Sequence, residues 1–368
     1  MSNNQGTFIE INLNSLQNNF NYIKSIISSK TKILAVVKAS AYGSDPFRIA
    51  SFLEQLKVNY FAVAYTSEAV KLRVSGIKKP ILIFHPQPES LSTIIKYKLI
   101  PTLYSFKILN SFKQILIKEK LKNYPVHLKI NTGLNRIGFS TSDISELIGS
   151  INDDNCIKID GIYSHLSSSE DKSEFDFSQK QITLFTESFT KIINSIDNKP
   201  LVHLCNTSGI INFPNAHFDM VRSGIGLYGF SNKLTQNKTL IPVISLKSSI
   251  SQIHIIKKGD SVGYNRSYIA KEDKIIGAIP LGHADGISRL YGNNNGFVYI
   301  KNKKVPIIGN VCMDMLMVDI SGINCNEGDE VIIFNEKYTA EKLAESINTI
   351  SYELLTGLSE RIVRKFID

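Results

Sequence analysis

The stretch Ile33-Leu34-Ala35-Val36-Val37 is an unbroken apolar run, and Lys38 follows it at once. Such a short continuous run is typical of a strand that is buried on both faces, as in a parallel sheet. A lysine at the end of this strand lies in surroundings that disfavour its charge, so its amine can act as a nucleophile near neutral pH. The alternative is an ordinary lysine that reaches solvent from a strand end.

Seven similar runs follow, and helical patterns separate them. Eight strand and helix units in a little over 200 residues favour a (β/α)8 barrel over an open doubly wound sheet. The barrel is expected over residues 9–235. A helix is predicted before the first strand from apolar residues at helical spacing, Leu16, Phe20, Ile23 and Ile27, behind a capping box of Asn14 and Gln17. The predicted strands are Ile33 to Val37, Tyr60 to Ala64, Ile81 to Phe84, Leu99 to Leu103, Val126 to Ile130, Ile159 to Tyr163, Leu201 to Cys205 and Phe218 to Val221.

After about Thr239 the pattern changes to short apolar runs between turn-prone clusters, which predicts a mostly β domain over residues 236–368, together with residues 1–8. The cluster from Lys301 to Lys304 is predicted to form a hairpin turn, and one late helix is predicted from Ala340 to Leu358. The predicted strand regions are Ile244 to Ile256, Lys274 to Ile279, Phe297 to Ile300, Val305 to Ile308, Leu316 to Ile320 and Val331 to Phe334.

The composition is that of an ordinary globular protein. The chain has 368 residues, a length that suits two domains, with 43% apolar and 20% charged residues. No apolar stretch approaches the roughly 18 residues that span a bilayer, and the segment from Met1 to Gly6 lacks the features of a secretion signal. We therefore expect a cytoplasmic protein that does not enter a membrane.

Charge and cysteine usage exclude several other classes. The net charge is +9, but the lysines are scattered, so a nucleic-acid partner is not expected. The charge is compatible with a phosphorylated cofactor or an anionic substrate. The four cysteines show neither paired spacing nor a histidine at metal-ligand spacing, so neither a metal site nor a disulfide framework is predicted.

Polar residues recur where the predicted barrel strands end, which is where barrel enzymes place their chemistry. Phosphate commonly binds after strands seven and eight of a barrel, where Thr207, Ser208 and Gly224 supply hydroxyls and a close backbone approach. A lysine able to form an imine, a phosphate site and a buried arginine together indicate pyridoxal phosphate. The residues at the strand ends are Lys38, Arg136, His165, Asn206, Thr207, Ser208 and Arg222.

A series of motifs resembles the signatures of bacterial alanine racemase, a pyridoxal-phosphate enzyme with a barrel and a β domain. In order they are AVVKASAYG, KINTGLNRIGF, HLCNTSG, VRSGIGLYG, VGYNRSY, PLGHADG, GNVCMDM and SYELL, from the Lys38 region to Tyr352. The resemblance implies interconversion of L-alanine and D-alanine, supply of D-alanine for peptidoglycan, pyridoxal 5'-phosphate as cofactor, and a homodimer with shared active sites.

The same resemblance assigns roles to individual residues. It implies that Lys38 holds the cofactor and serves as one base, and that Tyr264 is the other base, supplied by the second subunit. Arg222 would lie against the pyridine nitrogen, and His165 would link Arg222 to Tyr264. The phosphate would be surrounded by Tyr42, Thr207, Gly224, Ile225 and Tyr352, with Asn206 among the cofactor-binding residues. The substrate carboxylate would meet Arg136 and the backbone of Met313.

The chain departs from the usual family pattern at several positions. His283 stands where tyrosine is usual, at the part of the active-site entrance that the partner contributes, so substrate range could differ there. Lys129 matches a lysine that some members carry as a carbamate. The other departures are Ser40 and Ser44 for the usual Asn or Asp and His, Asn131 and Leu134 for Asp and Met, and Ser223 for Pro.

Three other interpretations are weaker. A pyridoxal-phosphate carrier protein would resemble only the first half of the chain. A decarboxylase of the same fold would place a carboxylate, rather than Arg222, at the pyridine nitrogen. A broad-specificity amino-acid racemase is the remaining alternative, and Tyr352 and His283 favour the small pocket of an alanine enzyme.

Overall fold

The computed structural model describes residues 6–152, 155–231 and 239–368. They form two compact units, which we call the barrel unit (Gln17–Ala41 and Pro46–Leu240) and the sheet unit (Met1–Leu16, Tyr42–Asp45 and Ile241–Asp368). The predicted boundary between residues 235 and 236, and residues 1–5 of the predicted C-terminal domain, lie outside the described residues. The domain boundaries therefore stay a prediction.

The first two elements along the chain are strand β1 (Phe8–Asn12) and helix α1 (Leu13–Ser25). The side chain of Asn12 accepts the N–H of Ser15 at 2.9 Å, so Asn12 caps the helix. The predicted capping box of Asn14 and Gln17 is wrong, because both residues lie inside a helix that has already begun.

Parallel strands close into an eight-stranded barrel within the described residues, which confirms the predicted fold. The first and last strands of the barrel pair in parallel, from Lys32 with Met220 to Ala35 with Ser223. One detail differs from the prediction: the last strand ends at Ser223, so Arg222 lies within the strand and does not follow it. The barrel strands are β2 (Lys32–Val36), β3 (Tyr60–Val63), β4 (Ile81–Ile83), β5 (Ile100–Leu103), β6 (Tyr124–Lys129), β7 (Ile157–Tyr163), β8 (Leu201–His203) and β9 (Met220–Ser223).

Helices and short helical turns connect these strands, and the longer helices bury an apolar stripe. In the helix that follows β5, the buried residues are Ile108, Leu109, Phe112 and Leu116, which recur at helical spacing. The segments are α2 (Lys38–Gly43), α3 (Pro46–Gln55), α4 (Thr66–Val74), α5 (Leu91–Lys96), α6 (Phe106–Lys118), α7 (Ile144–Asn152), α8 (Phe175–Ile193) and α9 (Thr207–Asn212). Within the described residues, no helix has both the length and the apolar character needed to cross a membrane.

The sheet unit contains a mostly antiparallel sheet in the order β11-β14-β17-β16-β15-β18-β10-β1-β19 and a separate pair, β12 and β13. Strand β1 lies between β10, which runs antiparallel to it, and β19, which runs parallel. The additional elements are β10 (Ile244–Ser249), β11 (Gln252–Ile256), β12 (Ser261–Val262), β13 (Tyr268–Ile269), β14 (Lys274–Ile279), β15 (Phe297–Ile300), β16 (Lys303–Ile308), β17 (Leu316–Asp319), β18 (Glu330–Phe334), α10 (Ala340–Glu345), α11 (Ser351–Thr356) and β19 (Val363–Ile367).

One prediction for this unit is wrong and two are confirmed. The predicted strand region from Ile244 to Ile256 contains two strands, β10 and β11. The late helix is interrupted by Asn348, whose φ of 57° is left-handed and ends the right-handed path. The predicted hairpin turn is present: Lys301 and Asn302 have φ of 47° and 64°, the two positive values of a type I′ turn.

Candidate active site

Arg222 is buried in strand β9, with 3% of its surface exposed. One terminal nitrogen donates to Nδ1 of His203 at 2.9 Å. The other donates to the Leu204 carbonyl at 2.7 Å, the Ser164 carbonyl at 2.8 Å and Nδ1 of His165 at 3.1 Å. A guanidinium group has only donors, so both Nδ1 atoms must accept. Burial lowers the pKa of Arg222 to about 10, and the group therefore stays charged at neutral pH.

His165 and His203 are consequently neutral rings with their proton on Nε2. Burial first, and then the charge of Arg222, hold the pKa of both rings well below 6.5. His203 in turn donates from Nε2 to Nδ1 of His127, 3.0 Å away. Burial lowers the pKa of His127 to about 4, and its Nε2 has no hydrogen-bond partner among the described residues. The guanidinium thus fixes every tautomer along one buried chain.

Tyr163 lies beside this chain. Its ring stacks on His203 with 4.8 Å between centroids and 10° between planes, and its hydroxyl lies 3.0 Å from Oγ1 of Thr102. The guanidinium carbon of Arg222 is 5.1 Å from the centre of the Tyr163 ring, and Nζ of Lys129 is 4.8 Å from it. The aromatic face therefore meets the Arg222 guanidinium and the amine of Lys129.

The rings of His127, Tyr163 and His203 are absent from the predicted site. One sequence signal could have found them: residues two apart in a strand share a face. His127 precedes Lys129 by two positions in β6, and Tyr163 precedes His165 by two. A polar ring at such a position in a buried strand indicates an interior network.

Lys129 is 3% exposed, and its side-chain amine makes no hydrogen bond or ion pair among residues 6–152, 155–231 and 239–368. Burial, followed by the charges of Arg222 and Arg136, holds its pKa well below 10.5. A buried amine without a counter-ion favours its neutral form. The surroundings of Lys129 therefore favour an uncharged amine over an ammonium group.

Lys38 begins the short turn α2, whose backbone is left-handed. The φ angles of Ala39, Ser40, Ala41 and Tyr42 are 52°, 51°, 50° and 57°. L-residues rarely adopt this conformation in succession, and backbone strain of this kind is concentrated at functional sites. Burial lowers the pKa of the Lys38 amine, as the apolar run predicts, and Arg136 lowers it further.

Arg136 lies on the loop after β6, and Asn131 holds that loop in shape. Oδ1 of Asn131 accepts the N–H of Gly133 at 3.2 Å and of Asn135 at 3.0 Å. A carboxylate would accept the same two bonds. Asn131, where the family usually has Asp, therefore preserves these two hydrogen bonds to the loop backbone.

Thr207 joins the loops after β8 and β9. Its Oγ1 accepts the N–H groups of Gly224 at 3.3 Å and Gly226 at 3.2 Å. A Cβ at Gly226 would lie 2.6 Å from the Thr207 methyl group, so only glycine permits this approach. Asn206 caps α9 by accepting the N–H of Gly209 at 2.9 Å. Ile225 begins a buried turn in the same loop.

Tyr264 belongs to the sheet unit and is 69% exposed. It follows Gly263, whose φ of 75° suits glycine, and its carbonyl accepts a bond from Nδ2 of Asn310 at 3.0 Å. The backbone of Tyr264 is therefore held while its side chain is left accessible. Its pairing with Lys38 stays a prediction.

His283 and Met313 lie on two loops that are bonded to each other. The N–H of His283 donates to the Cys312 carbonyl, and the N–H of Ala284 donates to the Met313 carbonyl, each at 2.9 Å. Arg361 fastens the same two loops, since it pairs with Asp285 at 2.7 Å and with Asp314 at 2.8 Å. The structure thus brings His283 close to the Met313 backbone.

Tyr42 and Tyr352 are also neighbours within the sheet unit. Their ring centroids are 6.1 Å apart at an angle of 54°. Tyr42 is 6% exposed, and burial raises the pKa of its phenol, with a further contribution from Tyr352. Two residues that the motifs assign to one phosphate therefore lie together.

Comparisons with known proteins identify the family. The family model described as alanine racemase, N-terminal domain, matches residues 11–232, and that for the C-terminal domain matches residues 243–366. Alanine racemase 1 of Caldanaerobacter subterraneus subsp. tengcongensis is 36% identical, and the match covers 98% of this chain and 94% of that protein. The solved alanine racemase of Clostridium difficile 630 is 33% identical with a TM-score of 0.90, covering 98% of this chain and 95% of that one.

One further solved structure bears on the cofactor. It is the alanine racemase from Bartonella henselae with covalently bound pyridoxal phosphate, at 28% identity and a TM-score of 0.90, covering 98% of this chain and 99% of that one. These matches confirm the prediction that the motifs carry: this chain belongs to the alanine racemase family of isomerases.

Proposed function

We propose that this chain interconverts L-alanine and D-alanine with pyridoxal 5'-phosphate held by Lys38. The observation that carries the proposal is Arg222, which bonds two neutral histidine rings and two carbonyls and touches no carboxylate in the described part of the chain. A decarboxylase of this fold would need a carboxylate in that place. Family membership and this arginine together favour racemisation.

The residues present fit the cofactor. The charge of Arg136 lowers the pKa values of Lys38, Lys129 and Arg222, after the larger effect of burial, so these four basic groups would attract an anion. The hydroxyl of Ser223 is buried without a partner among the described residues, beside the close approach of Gly226 to Thr207. A phosphate is a suitable acceptor for such groups.

When bound, pyridoxal phosphate supplies an electron-withdrawing ring that eases removal of the α-proton. Arg222 would donate to the ring nitrogen and keep its own proton, because a guanidinium remains protonated. Thr207, Gly224 and Ile225, with Asn206, would hold the phosphate. The resemblance assigns Tyr42 and Tyr352 to the same phosphate.

Racemisation needs a proton to leave Cα on one face and to return on the other, so two bases serve better than one. Lys38 is suited to be one base, because burial lowers the pKa of its amine. Tyr264 would be the other, supplied by the second subunit of a homodimer. Its high exposure in the single chain supports this role, since a side chain that serves a partner must be accessible.

Arg136 and the Met313 backbone would hold the substrate carboxylate. Arginine is suited to this because its planar fork binds a carboxylate through two bonds. His283 would lie at the entrance and limit substrate size. The alternative of a broad-specificity racemase differs only in that pocket, so substrate range is the property to measure.

We also propose that Lys129 can carry a carbamate. A neutral amine attacks CO2, forms an N–C bond and releases one proton, which leaves a carboxylate beside two arginines. Burial and the missing counter-ion support this chemistry at Lys129. Carbon NMR with labelled bicarbonate should show a protein carbamate signal that the Lys129→Ala variant lacks.

The decisive test of activity uses the purified full chain with pyridoxal phosphate and L-alanine, L-serine or L-lysine. We expect inversion of alanine above the others, and borohydride trapping of the cofactor on the peptide that contains Lys38. Lys38→Ala should abolish trapping, whereas the exposed-site control Lys57→Ala should not. Label on another lysine, or no inversion of alanine, would overturn the assignment.

In the cell, we propose that the enzyme acts in the cytoplasm and supplies D-alanine for peptidoglycan. The bacterial source of the named relatives supports this role. Expression in a bacterium that requires D-alanine should remove the requirement, and the Lys38→Ala variant should not.

A further inference from the structure

Glu68 lies in the first turn of helix α4, directly after strand β3. One carboxylate oxygen, Oε2, accepts the N–H groups of Ala64 at 2.8 Å and Tyr65 at 3.0 Å. The other oxygen, Oε1, reaches a different segment and accepts the N–H of Ala39 at 2.6 Å. A single carboxylate therefore ties the end of β3 to the residue that follows Lys38.

The position of this contact matters because the turn is strained. Ala39 is the first of four consecutive residues with left-handed backbone angles, and the turn they form directly follows Lys38. Its amide is held by an ionised acceptor, and such hydrogen bonds are shorter and stronger than neutral ones. The direction in which Lys38 leaves the strand thus depends on a side chain from the neighbouring strand-helix unit.

Glu68 also acts on the charge of the lysine. The charged groups that act on the amine are Arg136, which lowers its pKa, and Glu68, which raises it; His165 also feels the charge of Lys38. Burial and Arg136 favour the neutral amine. Glu68 opposes both and moderates their effect.

We propose that Glu68 is a positioning residue for Lys38: its carboxylate anchors the turn that follows the lysine and supplies a negative charge that acts on the amine. The proposal rests on the proposed function insofar as Lys38 is the cofactor lysine. It adds a residue outside the set that the motifs assign.

Three variants separate the two effects. Glu68→Gln keeps an oxygen acceptor and removes the charge, whereas Glu68→Ala removes both. Glu54→Gln is the matched control, because Glu54 also accepts two backbone N–H groups in the barrel unit, from Lys78 at 2.9 Å and Lys79 at 2.8 Å. All three are made in the full chain.

The first measurement is the rate at which an amine-acylating reagent labels Lys38 in cofactor-free protein across pH, read by peptide mass spectrometry. In Glu68→Gln the labelling profile should move to lower pH. Because the charge that raises the lysine pKa is lost, we expect labelling of Lys38 near neutral pH to be roughly threefold faster in Glu68→Gln than in the native chain. Glu54→Gln should leave the profile unchanged.

The second measurement is hydrogen exchange at the Ala39 amide. We expect protection in the native chain, partial protection in Glu68→Gln and loss of protection in Glu68→Ala. A Lys38 profile that is the same in the native chain and both Glu68 variants would overturn the proposal, as would an equal shift in Glu54→Gln. Borohydride trapping on the native chain is a separate measurement. If it shows that Lys38 does not bind the cofactor, that result would contradict the proposed function but not the role of Glu68.

Discussion

At the scale of single residues, the most informative arrangement is the chain that joins His165, Arg222, His203 and His127. Because a guanidinium only donates, the direction of each hydrogen bond and the tautomer of each ring follow from one residue. The rings stay neutral because burial and Arg222 oppose a second charge. Arg222 is thereby held in place without a carboxylate.

This arrangement predicts a loss of stability in mild acid. The unfolded His127 binds a proton below about pH 6.5, but the folded ring does so only near pH 4, so stability is complete above 6.5 and falls as the pH drops toward 4. The full difference is roughly 3 kcal/mol. Denaturant unfolding of the native chain and His127→Leu should show that the native chain loses about 2 kcal/mol more between about pH 7 and 5. The control is His254→Gln, at an exposed position; equal slopes in the native chain and His127→Leu would contradict the neutral ring.

A second prediction concerns the choice of reaction at Arg222. If residue 222 contacts the ring nitrogen of the cofactor, as proposed, Arg222→Glu would place an acid there and allow that nitrogen a full proton, which favours transamination over racemisation. We expect racemisation to fall roughly 100-fold while keto acid from alanine rises above the native level. Chiral chromatography and a keto-acid assay measure both, and retained cofactor absorbance shows that the variant is folded. Unchanged keto-acid formation would count against the role of Arg222.

At the scale of elements, the left-handed turn α2 is the feature that ordinary strand and helix patterns do not describe. Its residues are Lys-Ala-Ser-Ala-Tyr-Gly, and only the last of them favours a positive φ. Contacts with the rest of the fold must therefore stabilise this turn. One of them is the hydrogen bond from the Ala39 N–H to the Glu68 carboxylate.

Replacing Ala39 by glycine should relieve this strain. A left-handed L-residue costs about 1–2 kcal/mol, which exceeds the roughly 0.5–1 kcal/mol that glycine loses in conformational freedom. We expect Ala39→Gly to raise the free energy of unfolding by about 0.5–1 kcal/mol. Ser51→Gly, at an exposed position of the right-handed helix α3, should lower it. Denaturant unfolding tests both, and a fall in each would show that the turn is not strained.

The pairing of β6 and β7 contains a second local adaptation. The register shifts between Val126 and His127, and His127 faces Gly161, where a Cβ would lie 2.5 Å from the imidazole ring. Gly161→Ala should therefore cost about 1–3 kcal/mol of stability by overpacking. Its control is Gly149→Ala, where the added Cβ meets open space. In combination with His127→Ala, Gly161→Ala should cost at least about 1 kcal/mol less, and simple additivity would contradict the steric explanation.

At the scale of the whole molecule, the sequence predicts the barrel well and the interior network poorly. Runs such as Ile33 to Val37 are long enough to mark strands that are buried on both faces. In strands β1 and β19, apolar residues are interrupted by polar ones, so neither strand is predicted from an apolar run. The predicted late helix runs through Asn348, because a helical pattern does not reveal the left-handed backbone of that residue.

The site divides in the same way. Motif order locates Lys38 and Arg222, because each lies in a short segment, AVVKASAYG or VRSGIGLYG, that can be read locally. The bond between His127 and His203 joins residues 76 positions apart, so no local pattern contains it. The role of Glu68 is hidden for the same reason: its position predicts a helix cap, and only the fold brings Ala39 to its second oxygen.

The central claim is that Lys38 of one subunit and Tyr264 of the other serve the same active site. The most direct test mixes two inactive variants, Lys38→Ala and Tyr264→Phe, each expected to lose roughly 10²- to 10⁴-fold in activity. With random subunit exchange, half the dimers are hybrids with one complete site, so we predict recovery of about a quarter of the native activity. No recovery in a mixture in which native mass spectrometry shows hybrid dimers would contradict the shared site.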